Sequence, residues 1–93
     1  MIDLNDLIKS LEKIISELNA SRKVKSVIFF TVRYDEIMKC GDKVSVETIE
    51  TIETIETLST CRAISQYANF SQKEQMLLDE VVDNAIVVKN KIP

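Results

Sequence analysis

Val46-Glu47-Thr48-Ile49-Glu50-Thr51-Ile52-Glu53-Thr54-Ile55-Glu56-Thr57-Leu58 contains three consecutive Thr-Ile-Glu triplets, from Thr48 to Glu56. As a β-strand, this stretch would place Ile49, Thr51, Glu53 and Ile55 on one face and Glu50, Ile52, Thr54 and Glu56 on the other. Neither face would be apolar. In an α-helix each three-residue step falls about 60° short of a full turn. Val46, Ile49, Ile52, Ile55 and Leu58 then form a stripe that drifts around the cylinder, so the helix needs neighbours on two or three sides. A 3₁₀ helix would align the isoleucines, but its poorer hydrogen bonds rarely hold more than three or four residues. The repeat therefore predicts an α-helix packed among others, with Ser45 as its N-cap and Ile64 and Tyr67 continuing its apolar surface.

Upstream, Leu4, Leu7, Ile8, Leu11, Ile14, Ile15 and Leu18 recur at three- and four-residue spacing and share one side of a helix. Asp3 can cap its start, and Lys9, Glu12, Lys13 and Glu17 occupy the opposite side, with Lys13 and Glu17 four apart. Next, Val24, Val27, Ile28, Thr31, Val32, Tyr34, Ile37 and Met38 also keep helical spacing. The run from Ser26 to Val32 is rich in β-formers, but the periodic pattern outlasts a normal strand and no partner strand with turn signals is evident. Phe29 and Phe30 widen the apolar face, so this helix should touch more than one neighbour, and Gly41 is placed to end it.

Downstream, Ser71 and Glu74 form a capping box that opens a further helix, whose apolar side comprises Leu77, Leu78, Val81, Val82, Ala85, Ile86 and Val88. Lys89 and Lys91 lie where a helix C-terminus favours cations. The pattern predicts helices over about 3–19, 23–40, 45–68 and 71–89 in one domain spanning 1–93. Connections of two to five residues imply antiparallel neighbours, hence an all-α, antiparallel up-down four-helix bundle.

Composition narrows the chemistry. The single Gly rules out phosphate-cradling glycine loops, and the absence of His removes Ser-His and Cys-His pairs and the usual general base. Glutamates three apart lack the His residues or the Asp/Asn-rich, Gly-containing loop of common metal sites. The reading is therefore a non-enzyme with no catalytic residues, cofactor or metal. A net charge of −3 argues against direct nucleic-acid binding, which normally needs a basic face. No signal-like or membrane-spanning run occurs, and Val27 to Val32 is far below the roughly 18 residues of a span, so a cytoplasmic location is expected. Cys40 and Cys61 form neither a disulfide framework nor a zinc spacing and are expected to be reduced and partly buried.

Two resemblances accompany this reading. Met38-Lys39-Cys40-Gly41-Asp42, Ser45-Val46 with Ile49, Ala63-Ile64-Ser65, and Phe70-Ser71-Gln72-Lys73-Glu74-Gln75 leading into Leu77-Leu78-Asp79-Glu80-Val81 resemble the enterocin-type (class IIa) bacteriocin immunity proteins, over about residues 24 to 82. The resemblance implies a small cytoplasmic four-helix bundle that protects a producing cell from its own membrane-targeting bacteriocin. This chain departs from the family in its acidic balance and in having almost no tail after the fourth helix, where specificity is attributed. Thr54-Ile55-Glu56-Thr57-Leu58 followed by Phe70-Ser71, Glu74, Leu78 and Asp83 is similar to the C-terminal helices of the Hha/YmoA nucleoid-modulating proteins. That similarity implies an adaptor that binds a transcription, nucleoid or secretion-system partner through a helical face. It requires a one-residue gap, and Asp83-Asn84-Ala85 replaces the family's Asp-His-Arg.

Both point to a protein partner, and both are compatible with a homodimer or a peripheral membrane-associated complex. Candidate contact residues are Glu47, Glu50, Glu53 and Glu56 on the repeat helix and Arg22, Lys23 and Lys25 in the only basic cluster. Each set has a plainer explanation: acidic residues suit the N-terminal half of a helix, and basic residues complement the C-terminal dipole of the first helix. If the repeat helix is central, Ile52→Asp should unfold the domain, because a buried unpaired carboxylate costs several kcal/mol or must stay protonated; an unchanged thermal melt would refute that placement.

Overall fold

A computed structural model of the chain describes residues 2–39, 43–44 and 49–92, with only the backbone described at 2, 43–44 and 49–50. Among the described residues the fold is all-α apart from one short strand pairing. In chain order the elements are β1 (Ile2–Asp3), α1 (Asn5–Ala20), α2 (Val24–Met38), β2 (Lys43–Val44), α3 (Ile49–Ser59), a 3₁₀ turn (Cys61–Ala63), α4 (Ile64–Ala68) and α5 (Gln72–Asn90). β1 and β2 pair antiparallel, with Ile2 opposite Val44 and Asp3 opposite Lys43. Cys40, the terminator expected at Gly41 and the cap expected at Ser45 lie outside the described residues.

The stripe on α1 behaves as its spacing requires. Leu4, Leu7, Ile8, Leu11, Ile14 and Leu18 are buried and Ile15 is half-buried, between α2 on one side and α5 on the other. Each fully buried aliphatic side chain contributes roughly 2 kcal/mol of transfer free energy. Asp3 supports the helix start from just outside it, its Oδ1 accepting the Asn5 N–H at 2.8 Å. Lys13 and Glu17 do not pair with each other. Both reach across to α5, Lys13 to Glu80 and Glu17 to Lys73, each at 3.3 Å.

α2 is helical throughout the β-forming run, but its inward side differs from the expected list. Ser26, Phe30 and Ile37 are buried, Val27, Phe29 and Tyr34 pack partly against the core, and Val24, Ile28, Val32 and Met38 are exposed. The helix does contact two neighbours, α1 and α3.

The repeat forms an α-helix packed against α5 and α2, and of the expected stripe Ile55 and Leu58 are fully buried while Ile52 packs only partly against the core. Thr51, Ile55, Leu58 and Ser59 are buried, and Ile52 is only half-buried. Positions 51, 55, 58 and 59 fall within one arc of about 100° on the cylinder, whereas repeated three-residue steps drift away from a fixed neighbour. Straight contact with α5 therefore outweighs the burial of every isoleucine, and no buried side-chain N or O among the described residues lacks a hydrogen-bond partner.

The expected continuous helix over 45–68 is interrupted after Ser59. There the Ser59 and Thr60 hydroxyls donate to the Glu56 carbonyl at 2.7 and 3.0 Å, and the Cys61 thiol to the Leu58 carbonyl at 3.2 Å. Side chains that bond nearby carbonyls offer the backbone an alternative to the α-helical ladder, and the Thr60 N–H shifts to the Thr57 carbonyl at 3.3 Å. Asn69, in the left-handed region at φ 54, closes α4 as the Phe70 N–H bonds the Ser65 carbonyl. Ile64 joins the core edge, but Tyr67, expected to extend the apolar surface, is 88% exposed.

On α5, Leu78, Val81, Val82, Ala85 and Val88 complete the core between α1 and α3, while Leu77 is half-buried and Ile86 exposed. The sensitive position on α3 accordingly moves from Ile52 to Ile55. Ile55→Ala should lower the unfolding free energy by about 3 kcal/mol, and Ile52→Asp should leave a folded protein with a cooperative melt. Equal losses at the two positions in urea titrations would refute the observed face.

Candidate functional site

The predicted contact residues do not gather into one site. Glu47 lies outside the described residues, and Glu50 is placed in α3 by its backbone alone. Glu53 is exposed beside the α2–α3 groove. Glu56 is exposed and meets Lys89 of α5 at 3.7 Å. Arg22 is exposed but structurally committed: at φ 59 it occupies the left-handed position after α1, where its N–H bonds the Asn19 carbonyl and the Lys23 N–H bonds the Leu18 carbonyl. Lys25 is exposed in the first turn of α2.

Lys23 belongs to a cluster whose centre the sequence reading did not identify as charged and buried. The capping box forms as expected, with the Ser71 N–H donating to Glu74 Oε1 at 2.8 Å and the Glu74 N–H donating to Ser71 Oγ at 3.1 Å. Glu74, however, is only 1% exposed. Lys23 Nζ forms an ion pair with Oε1, and Ser21 Oγ donates to Oε2 at 2.5 Å. Lys23 Nζ also lies 5.7 Å from the centre of the Phe70 ring. Burial pushes the Glu74 carboxyl up, but Lys23, Ser21 and Ser71 outweigh it and hold the group down at about 2. The cluster fastens the α1–α2 turn to the α4–α5 turn. Ser71-x-x-Glu74 shows the box locally, but nothing in the sequence links it to residues more than fifty positions earlier.

Most charges lining a groove between α1 and α5 are likewise engaged in holding helices together. A depression of about 540 Å³ between α1 and α5 is lined by Lys9, Glu12, Lys13, Glu17 and Lys73, and the Lys13–Glu80 and Glu17–Lys73 pairs hold its sides. Cys61 offers a poor nucleophile, because burial pushes its thiol up to about 11, against the opposing influence of its own backbone bond and of Arg62 and Arg33. The Tyr34 hydroxyl donates to Glu12 Oε2 at 2.7 Å, and that bond, followed by burial, raises its pKa. Among the described residues no group of three or more His, Cys, Asp or Glu side chains is arranged to hold a metal ion. No helix there is long and apolar enough to cross a membrane.

The outer side of α2 is an exposed apolar face among the described residues. Val24, Ile28, Val32 and Met38 are 63, 57, 54 and 47% exposed. Four-residue steps advance the bearing by only about 40° each, so Val24, Ile28 and Val32 form a continuous ridge opposite Phe30 and Ile37. Shallow grooves run along both sides. One, about 420 Å³, contains Ile15, Thr31 and Asp35, and the other, about 230 Å³, contains Arg33, Glu36 and Glu53. The Arg33 guanidinium lies 4.2 Å from the Phe29 ring centre and bonds the Phe29 carbonyl at 3.3 Å. Of the predicted residues, the structure therefore brings Lys25 and Glu53 to the border of the ridge. A clue was present in the sequence: α2 has aliphatic or aromatic residues on every side, more than one buried face requires.

Compared with family models, curated proteins and solved structures, the chain finds no match.

The Glu74 cluster predicts acid sensitivity. A carboxyl held at about 2 in the folded chain, against an ordinary value of 4.5, contributes stability fully above about pH 5 and loses it as pH falls towards 2. The loss should be about 3 kcal/mol. Urea unfolding between pH 5 and 2 should show this slope in the natural chain and a flatter one in Glu74→Gln; parallel slopes would contradict it.

Proposed function

We propose that the chain is a small, non-catalytic helical binding protein that docks a protein partner on the outer face of α2, its four long helices arranged as an antiparallel up-down bundle. The observation that carries this reading is the Val24–Ile28–Val32 ridge, a run of exposed aliphatic residues on one helix flanked by two grooves. The bundle topology draws support from the order of side-chain contacts. Along α1, the Asp6 carbonyl and the Lys13 and Glu17 side chains meet the Asn84, Glu80 and Lys73 side chains of α5, in reverse chain order. Glu56 meets Lys89, and Arg62 meets Asp79 and Asp83, in the same reversed sense.

Protection of a bacteriocin producer, and alternatively adaptation of a nucleoid, transcription or secretion partner, are the specific forms implied by the sequence resemblances. Both act in the cytoplasm by protein contact rather than catalysis. The ridge suits either form, because an apolar helical face flanked by charges gives affinity at its centre and selectivity at its rim.

Photo-cross-linking in the native host tests the docking face. A photoreactive residue replacing Ile28 should give a discrete adduct, and one replacing Asp83, exposed on α5, should not. Equal labelling from both positions, or none from position 28, would contradict the assignment.

A further inference from the structure

We infer that the end of the molecule formed by the α1–α2 and α4–α5 turns docks on an anionic phospholipid surface. Charge is divided unevenly along the chain. No Asp or Glu occurs from Leu18 to Tyr34 or from Thr57 to Lys73, yet these stretches carry six cations, Arg22, Lys23, Lys25, Arg33, Arg62 and Lys73. The remaining residues hold the other six cations and all 15 acids, so a net charge of −3 combines +6 in these stretches with −9 elsewhere. Ser21 and Lys23 bond Glu74, which joins the two stretches at one end of a molecule measuring 35 × 20 × 19 Å. The acids bordering that end are matched, Glu74 buried against Lys23 and Glu17 against Lys73. Arg22 and Lys25 are exposed there and form no ion pair among the described residues. Arg33 lies further along α2, and Asp3, Asp6, Asp35 and Glu53 are exposed in the opposite half.

Apolar side chains stand at the same end as these cations. Tyr67, three residues before Phe70, and Val24, next to Lys23, are both largely exposed, and Lys23 Nζ lies over the Phe70 ring. Tyrosine favours the boundary between headgroups and hydrocarbon, where its ring is buried and its hydroxyl stays wet. Anionic headgroups attract the neighbouring cations. A nucleic-acid backbone offers the charge without the hydrocarbon. Reversible attachment to a membrane surface draws on both apolar insertion and cationic attraction, and one end of this molecule supplies the two together. The acidic half is repelled by the same surface, so the field of the whole chain turns the basic end towards the lipid. In that orientation Ile28 and Val32 point along the side of the bundle and stay open to a protein partner.

Co-sedimentation of the full chain with lipid vesicles tests the inference. The natural chain should bind mixed phosphatidylglycerol–phosphatidylcholine vesicles at low ionic strength and bind pure phosphatidylcholine vesicles about 10-fold more weakly or less. Salt at about 0.5 M should release it, because exposed charges are then screened. Arg22→Gly, which keeps the left-handed turn available, should lower the partition coefficient about 5-fold, and Lys25→Glu should lower it about 25-fold. Tyr67→Ser should weaken binding to both kinds of vesicle. Lys91→Glu makes the same charge change after the C-terminus of α5 and should leave binding nearly unchanged. Thermal melts of all four variants should remain cooperative and close to that of the natural chain, because the four side chains are exposed. No binding to the anionic vesicles, equal binding to the neutral ones, equal losses from Lys25→Glu and Lys91→Glu, or duplex DNA bound more tightly than the vesicles would overturn the inference.

Discussion

A charged residue that is 1% exposed must be compensated on all sides, and Glu74 is compensated by parts of the chain that are remote in sequence. Ser71 belongs to its own helix start, whereas Ser21 and Lys23 belong to the turn after α1. Satisfying the charge therefore sets where the α1–α2 turn sits against the α4–α5 turn, and with it the level at which α5 meets the α1 stripe. The left-handed conformation at Arg22 serves the same junction. It reverses the chain within Ser21–Lys23 and presents both Ser21 and Lys23 to Glu74. Removing one partner of such a cluster costs more than the net value of the pair, because the remaining charge stays buried.

From that junction the helices form a closed circuit of contacts: α1 on α2 and α5, α3 on α5 and α2. The circuit explains how α3 is buried. With neighbours on two sides, a stripe advancing by threes would carry some isoleucines past both of them, so the helix buries Thr51 and Ser59 in line with Ile55 and Leu58 and leaves Ile52 at the margin. Two buried hydroxyls are tolerable there because they find hydrogen bonds within the fold. The same circuit leaves α2 with one covered side. A helix with apolar residues all round, placed at a corner between two neighbours, must expose the remainder, and the remainder is the ridge proposed as a docking surface.

The interhelical ion pairs add orientation more than stability. Lys13–Glu80, Glu17–Lys73 and Arg62–Asp83 are largely exposed at 3.3, 3.3 and 2.9 Å, and such pairs are worth at most about 1 kcal/mol each. Their consistent order along α5 nevertheless disfavours shifted registers, in which like charges would meet. The acidic residues of the repeat fit this picture: Glu56 contributes to the α3–α5 contact and Glu53 borders the ridge.

Local spacing alone was enough to specify the seven-residue stripe of α1, the helical state of the repeat and the Ser71–Glu74 box, because each depends on side chains within two turns of one another. It also placed the ends of α1, α2 and α5 within a few residues, but not the interruption at 59–64, where a cluster of hydroxyl and thiol side chains competes for backbone carbonyls. Which side of α2 would be covered, whether Ile52 or Ile55 would be central, and whether Glu74 would be wet or buried were decided only in three dimensions. In each case the sequence admits more than one face, and the choice falls to neighbours that arrive from distant parts of the chain: Phe30 rather than Ile28 faces inward because α1 and α3 lie on that side, and Glu74 keeps its charge because Lys23 is brought to it.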